Sequence, residues 1–250
     1  MHRKKKGQTT LFIVIGIVVI TVVLLGIYIT KSPIKNEPEL YFSSAVDSIR
    51  YSIETCNKDL AEKSIVLLGL QGGRYKNVVN PIQQTDKDYG PIMLSHFSVN
   101  NNYVQFSLDD VEKEFNEYYK DNILSCLGNF DEFKTKGLNI KPKNMLLDLE
   151  FLDQSTVFTL YYEVVVSKGT KSHTLYDYPP VEIEHRFKKV FNVATESARQ
   201  HASTRLIPIN YVLNKDIILS TYNIGSSTIY RLVDQKNDKE RRYVFYFAVN

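Results

Sequence analysis

Two cysteines, Cys56 and Cys126, and no tryptophan occur in 250 residues, and the chain has no Asn-x-Ser/Thr sequon. Two isolated cysteines with neither a CxxC nor a nearby histidine pair cannot supply a zinc set. No GxSxG, HExxH, GxGxxG or Walker-type loop is present, so the common nucleophile, metalloprotease, dinucleotide and phosphate-cradling signatures are missing. His2, His96, His173, His185 and His201 form no pair at metal-ligand spacing. No catalytic residue, no metal ligand and no cofactor site is therefore expected. Concentrated positive charge is lacking too. The net charge is +3, but Arg3, Lys4, Lys5 and Lys6 are the only charged residues before Lys31, so the remainder carries −1. A near-neutral body does not bind phosphate backbones, and no nucleic-acid partner is expected. The chain shows no fixed-length repeat.

What is present is a charge-free stretch from Leu11 to Ile29, LFIVIGIVVITVVLLGIYI. As a helix these residues span about 28 Å, close to the hydrocarbon thickness of a bilayer, and a helix satisfies its backbone groups internally, as lipid requires. The reading is a basic cytoplasmic N-terminus (1–10), a transmembrane helix (11–30) contacting the bilayer, a proline-containing linker (31–39, with Pro33 and Pro38) and an extracytoplasmic domain (40–250). The basic cluster places the N-terminus inside and the domain outside, a single-pass cell-membrane protein. A secretory signal peptide is disfavoured: the apolar run is long and Tyr28-Ile29-Thr30 is no small-x-small cleavage site.

A basic cluster followed by Gly7-Gln8 and an apolar helix resembles the class III signal segments of archaeal type IV pilin-like proteins. The resemblance implies cleavage between Gly7 and Gln8, with the helix kept on the mature protein. Phe12 stands where many of those proteins carry glutamate. The phrases around Cys56 and LLGLQGG (67–73), Ser107–Glu112 and Asn122–Leu127 are similar to those of membrane-anchored proteins of small-genome archaea, a resemblance that implies no activity and no site residues.

The body reads as α+β, helical over about 40–137 and mainly antiparallel β over about 138–250. A helix starts near Pro38, with Val46, Ile49, Ile53, Cys56, Leu60, Leu67 and Leu70 on one face. Gly69 and Gly72-Gly73 stop it. Read instead as a phosphate loop, QGG lacks a preceding strand and a following Lys-Ser/Thr. Residues 74–107 carry turn signals at Asn80-Pro81 and Gly90-Pro91 and a short strand over 103–107. Ser107 then caps a helix running to about Gly128, with Asp109 and Asp110 in its first turn. Leu108, Val111, Phe115, Tyr119 and Cys126 form its apolar stripe; Glu112, Lys113, Glu114 and Glu117 form its wet side. Packing these two helices by their apolar faces brings Cys56 and Cys126 within disulfide range. Outside the membrane such a bond is permitted, and closing about 70 residues would stabilise the fold by roughly 4 kcal/mol in the chain-entropy model. The alternative is two buried free thiols.

From Met145 the period becomes two. Met145–Phe151 and Phe158–Val166 alternate, Lys168-Gly169-Thr170 is a hairpin turn, and a third strand covers Thr174–Tyr178 until Pro179-Pro180 interrupts its pairing. Alternation resumes over 181–187. A helix follows over 187–203, then strands over 206–212, 217–222, 228–233 and 243–249, with residues 235–240 as a hairpin tip. His185 is expected to be a satisfied core or edge histidine. Glu182 and Glu184 are paired carboxylates on one strand, suited to acid–base work, but Arg186, Lys188 and Lys189 beside them suggest a mixed-charge surface. Three functional readings remain: a displayed domain acting by protein contact or in envelope structure, a pilin-like subunit that self-assembles after cleavage, and an envelope enzyme or ligand-binding module.

Overall fold

The structure, a computed structural model, describes residues 14–25, 38–86, 90–206, 212, 216–236 and 243–250. Residues 1–10 with Gly7 and Gln8, both ends of the 11–30 stretch, residues 31–37, most of the 206–212 strand and the 237–240 tip lie outside the described residues. The chain divides into two units, residues 1–45 and 46–250. In the first, residues 14–25 form a helix, α1, whose aliphatic side chains are exposed. Among the described residues no helix is long and apolar enough to cross a membrane.

The second unit is α+β, as the change of period predicts. Helix α2 (Pro38–Leu70) ends just before Gly72-Gly73, two of the three glycines expected to stop it. Its last turns point Ile65 and Leu68 inward, while Leu67 is only partly buried. Gly69 is not a stop signal but a close approach within the helix: a Cβ there would meet the Tyr243 hydroxyl at 2.5 Å and the Val244 carbonyl at 2.8 Å. Gly72 and Gly73 end the helix, at φ +73° and +77°. The Gly73 N–H donates to Leu68 O at 2.6 Å, closing the helix end.

Residues 74–107 hold more strand than their turn signals indicated. Strands β1 (Ile82–Asp86) and β2 (Gly90–Leu94) pair antiparallel, followed by β3 (His96–Val99). The strand expected over 103–107 is instead a two-residue β4 (Asn102–Tyr103) turned back on β3 by Asn100 and Asn101, both at positive φ. Past it, Phe106 leaves the sheet and enters the core. Helix α3 (Leu108–Cys126) begins at a capping box between Ser107 and Asp110, with Asp110 N donating to Ser107 Oγ at 3.2 Å. The Ser107 hydroxyl and Lys113 hold the Asp110 carboxyl down at about 2. A 3₁₀ turn (Gly128–Phe130) and α4 (Asp131–Thr135) follow.

The β half contains β5 (Asn139–Phe151), β6 (Thr156–Lys168), β7 (Lys171–Leu175) and β8 (Val181–Ile183). Next come helix α5 (Phe187–Thr204) and strands β9 (Ile217–Ile224), β10 (Ser227–Asp234) and β11 (Val244–Val249). In one sheet the order is β5-β6-β7, with β8 also on β6; in the other it is β4-β3-β11-β10-β9. All these pairings are antiparallel except β11 with β3. The third strand stops at Leu175, short of the expected Tyr178, and pairing with β6 resumes only at Val181, past Pro179-Pro180, which have no N–H for the ladder. The Tyr178 hydroxyl donates to the Tyr162 carbonyl at 3.0 Å in its place, and burial pushes both hydroxyls' pKa values up. The outer edge of β5 is closed similarly: the Asn116 side-chain amide on α3 exchanges two 2.8 Å hydrogen bonds with Leu147 N and O, as a neighbouring strand would.

The two sheets share one aromatic core. Phe187, fully buried at the start of α5, lies 5.8 Å from Phe115 on α3, 5.4 Å from Phe151 on β5, 6.1 Å from Phe191 and 6.0 Å from Phe245 on β11 (ring centroids). Phe97 continues it, meeting Phe106, Phe191, Phe245 and Phe247. On the other face of the five-stranded sheet, Leu70, Ile92, Leu94, Ile229, Tyr246 and Ala248 form a second apolar cluster.

The tight contact at Gly69 gives opposite expectations for two substitutions. Gly69→Ala forces β11 away and is expected to cost about 1–3 kcal/mol. The buried Tyr243 hydroxyl has no hydrogen-bond partner, so Tyr243→Phe removes an unsatisfied group and is expected to leave stability unchanged or raise it by up to about 1 kcal/mol. Denaturant unfolding of both variants checks the pair.

Candidate functional site

Cys56 and Cys126 form a disulfide with a Cα–Cα distance of 5.9 Å, tying the middle of α2 to the last residue of α3 across 70 positions. Cys56 is buried, as its place on the apolar face of α2 implies, but Cys126 is exposed. The stripe of α3 turns inward through Val111, Phe115, Tyr119 and Ile123, so the bond reaches its second sulfur at the helix rim.

The LLGLQGG segment does lead into an anion-cradling loop, and the anion is internal. Glu114, assigned to the wet side of α3, is only 2% exposed. Its Oε2 accepts the backbone N–H groups of Tyr75 at 2.9 Å, Lys76 at 2.8 Å and Asn77 at 3.4 Å, and its Oε1 accepts the Asn77 amide at 2.7 Å. Burial pushes this carboxyl's pKa up, but the Asn77 amide and the three backbone donors outweigh it and hold the carboxyl below its usual range. Val111 and Tyr118 share the face, three and four positions away, and that spacing was the available signal that Glu114 turns inward. Beside it the Arg74 guanidinium lies 3.5 Å over the Phe106 ring.

The chemistry-bearing residues of the β half meet in one open cleft of about 300 Å³, lined by Gln154, Ser155, Glu182, Glu184, Arg186 and Lys236. The β5–β6 turn brings Ser155, β8 brings Glu182, and the chain leaving β10 brings Lys236. Ser155 Oγ donates to Glu182 Oε1 at 2.5 Å. The paired carboxylates thus do share a site. Arg186, assigned to a mixed-charge surface, is instead buried: its Nε donates to Asp234 Oδ2 at 2.7 Å and its Nη2 to Oδ1. Asp234 is fully buried and also accepts the Lys236 N–H at 3.0 Å. Tyr230, Leu232 and Asp234 alternate inward along β10, and that period marked Asp234 as a buried acid.

Each histidine that is described belongs to the framework or the surface. His185, expected as a satisfied core or edge histidine of a strand, lies two residues past the end of β8, half-buried, and stacks on Tyr243 with centroids 5.2 Å apart. His96 is buried, with Nδ1 2.5 Å from Asn80 O and Nε2 3.0 Å from Ser227 Oγ, and burial lowers its pKa. His201 Nδ1 lies 2.8 Å from the Tyr230 hydroxyl, and His173 is exposed on β7. Chemically, the cleft offers two carboxylates and an ammonium group. Its serine is hydrogen-bonded to a carboxylate rather than to an imidazole, and its guanidinium is committed to Asp234. Among the described residues no group of three His, Cys, Asp or Glu side chains could hold a metal ion. Compared with known protein families, curated proteins and solved structures, the chain matches none of them.

Two measurements separate framework from chemistry here. Glu114→Ala leaves three backbone donors without an acceptor and is expected to destabilise the fold by about 2–3 kcal/mol, while Glu117→Ala, one turn along and half exposed, should cost under about 0.5 kcal/mol. Arg186→Met alone strands the buried Asp234 charge and should cost about 3–5 kcal/mol, much of it recovered in Arg186→Met/Asp234→Leu. Thermal and denaturant unfolding report both comparisons.

Proposed function

We propose that this chain is a single-span membrane protein, N-terminus in the cytoplasm, that displays residues 40–250 on the outer side as a disulfide-braced domain acting by protein–protein contact or in envelope structure. The observation that carries the reading is the charge-free Leu11–Ile29 stretch behind the Arg3–Lys6 cluster, whose length and flanking charge match a span with its basic end inside. Two features support it. The aliphatic side chains of α1 are exposed, which water disfavours and lipid does not. The body's disulfide, with Cys126 at the surface, persists in an oxidising compartment and not in a reducing one.

A pilin-like subunit is the second reading, favoured by Lys6-Gly7-Gln8 ahead of the apolar stretch. In it, cleavage between Gly7 and Gln8 frees the helix to pack in a filament. An envelope enzyme or ligand-binding module is a third, for which the Glu182/Glu184 cleft is the candidate site. Two of the ionisable groups lining that cleft are already engaged, Arg186 by the buried Asp234 and Glu182 by the Ser155 hydroxyl, which ranks this reading below the other two.

Mass spectrometry of the protein from native membranes, with and without reduction, together with protease treatment of intact cells, tests the proposal. The expected result is an intact N-terminus, a mass gain of two hydrogens on reduction and digestion of the 40–250 body from outside. A mature N-terminus at Gln8 would favour the filament subunit; a body reached only by cytosolic protease would overturn the address.

A further inference from the structure

The outward face of the four-stranded sheet has no role in the core. Along β6, Phe158, Leu160, Tyr162 and Val164 turn inward, so Val157, Thr159, Tyr161, Glu163 and Val165 turn outward. At its centre Tyr161 pairs with Leu146 of β5, and these side chains are 52% and 59% exposed. The charges around this apolar centre are unevenly distributed along the strands. Toward the start of β6, Thr159 pairs with Asp148, and Val157 with Glu150 and Glu182. Toward its end, Val165 pairs with Lys141, and Lys143 lies beside Glu163 with Nζ–Oε1 2.6 Å. One end of the face is wholly acidic; the other carries both lysines with Glu163, a net charge of +1.

We infer that this face binds a second copy of the same chain, face to face, about a two-fold axis that crosses β6 at the level of Tyr161. A two-fold interface must be complementary to itself. Rotation about an axis lying across the strands reverses their direction. Asp148 and Glu150 of one copy then lie over Lys143 and Lys141 of the other, Tyr161 over Tyr161 and Leu146 over Leu146. An axis along the strands would set acid on acid, so the distribution of charge selects the antiparallel arrangement. It also disfavours an anionic lipid surface, which the acidic end repels. The thirteen residues of β6 extend about 44 Å, and three strands span about 14 Å. Two such faces bury about 1,200 Å² in total, at the lower bound of specific interfaces. Such a dimer is weak in dilute solution and gains from confinement of both copies to one membrane. The inference names the partner for the contact role proposed above and rests on it; the dimer and the membrane address are tested separately.

The test uses charge reversal on the full chain. Asp148→Lys/Glu150→Lys makes one version basic at both ends, and Lys141→Glu/Lys143→Glu makes another acidic at both ends. Förster transfer between donor- and acceptor-labelled chains in the same proteoliposomes reads association. The wild type is expected to associate, and each version alone to lose affinity about tenfold or more. An equal mixture of the two, which pairs opposite charges at both ends, is expected to restore wild-type transfer; restoration also shows that both versions are folded. If the chain does not enter liposomes, the same mixtures are read by sedimentation in solution, so a failed address leaves the dimer test intact. Transfer at random-collision level for the wild type, leaving the face to a different protein, or association indifferent to the reversals, would overturn the inference.

Discussion

The fold depends on a ring stack at one residue. Phe187 opens α5 and meets Phe115 of α3, Phe151 of β5 and Phe245 of β11 within about 6 Å, so one helix and two strands far apart in sequence converge on one side chain. Each such contact adds only about 0.5–1.5 kcal/mol beyond area burial, but the position is shared by both sheets. The four-stranded sheet reaches it through β5, and the five-stranded sheet through β11 and α5. This joint explains how helices followed by strands make one core rather than two small domains, each with too little apolar surface of its own.

Around that core, charge is used as mortar. Glu114 gathers the loop after α2 by accepting three consecutive backbone N–H groups, and Arg186 joins the entry of α5 to the exit of β10 through Asp234. Both are buried charges with their hydrogen-bonding capacity largely met, the condition under which burial of charge is tolerated. The loop after QGG resembles a phosphate cradle for a physical reason: consecutive N–H groups after a helix stop make an anion site. Here Glu114 occupies it, and the resemblance ends in structure rather than ligand binding. The same economy appears at the sheet edges, where Asn116 and Tyr178 complete ladders that Pro179-Pro180 and the end of the sheet leave open.

This assignment of charged residues to the framework shapes the functional reading. Of the ionisable groups singled out for chemistry, only Glu182 and Glu184 reach a cleft with charge to spare. Elsewhere among the described residues lies a sheet face with an apolar centre, acidic at one end and with two lysines at the other, the face on which the proposed contact rests. On the proposed membrane address, confinement of two copies to one surface would amplify a weak self-complementary contact.

By itself, the order of residues left the two cysteines open between a disulfide and free thiols, but it determined the class of the fold and the positions of its long helices and strands. Those properties are local: the 3.6-residue period of α2, the alternation of β6 through Phe158–Val166 and the Ser107–Asp110 cap each depend on neighbours within a turn or a pleat. The short strands β1–β4 were not legible, because Gly90, Pro91 and the asparagines break any period before it can be counted. Tertiary structure alone decided what meets the polar residues that go inside. Glu114 and Arg186 look like solvent charges until Tyr75–Asn77 and Asp234 are brought to them, and Gly69 looks like a terminator until Tyr243 is laid against it. A period reports which face of an element is buried; it carries no information about what distant part of the chain will supply the hydrogen bonds or need the space.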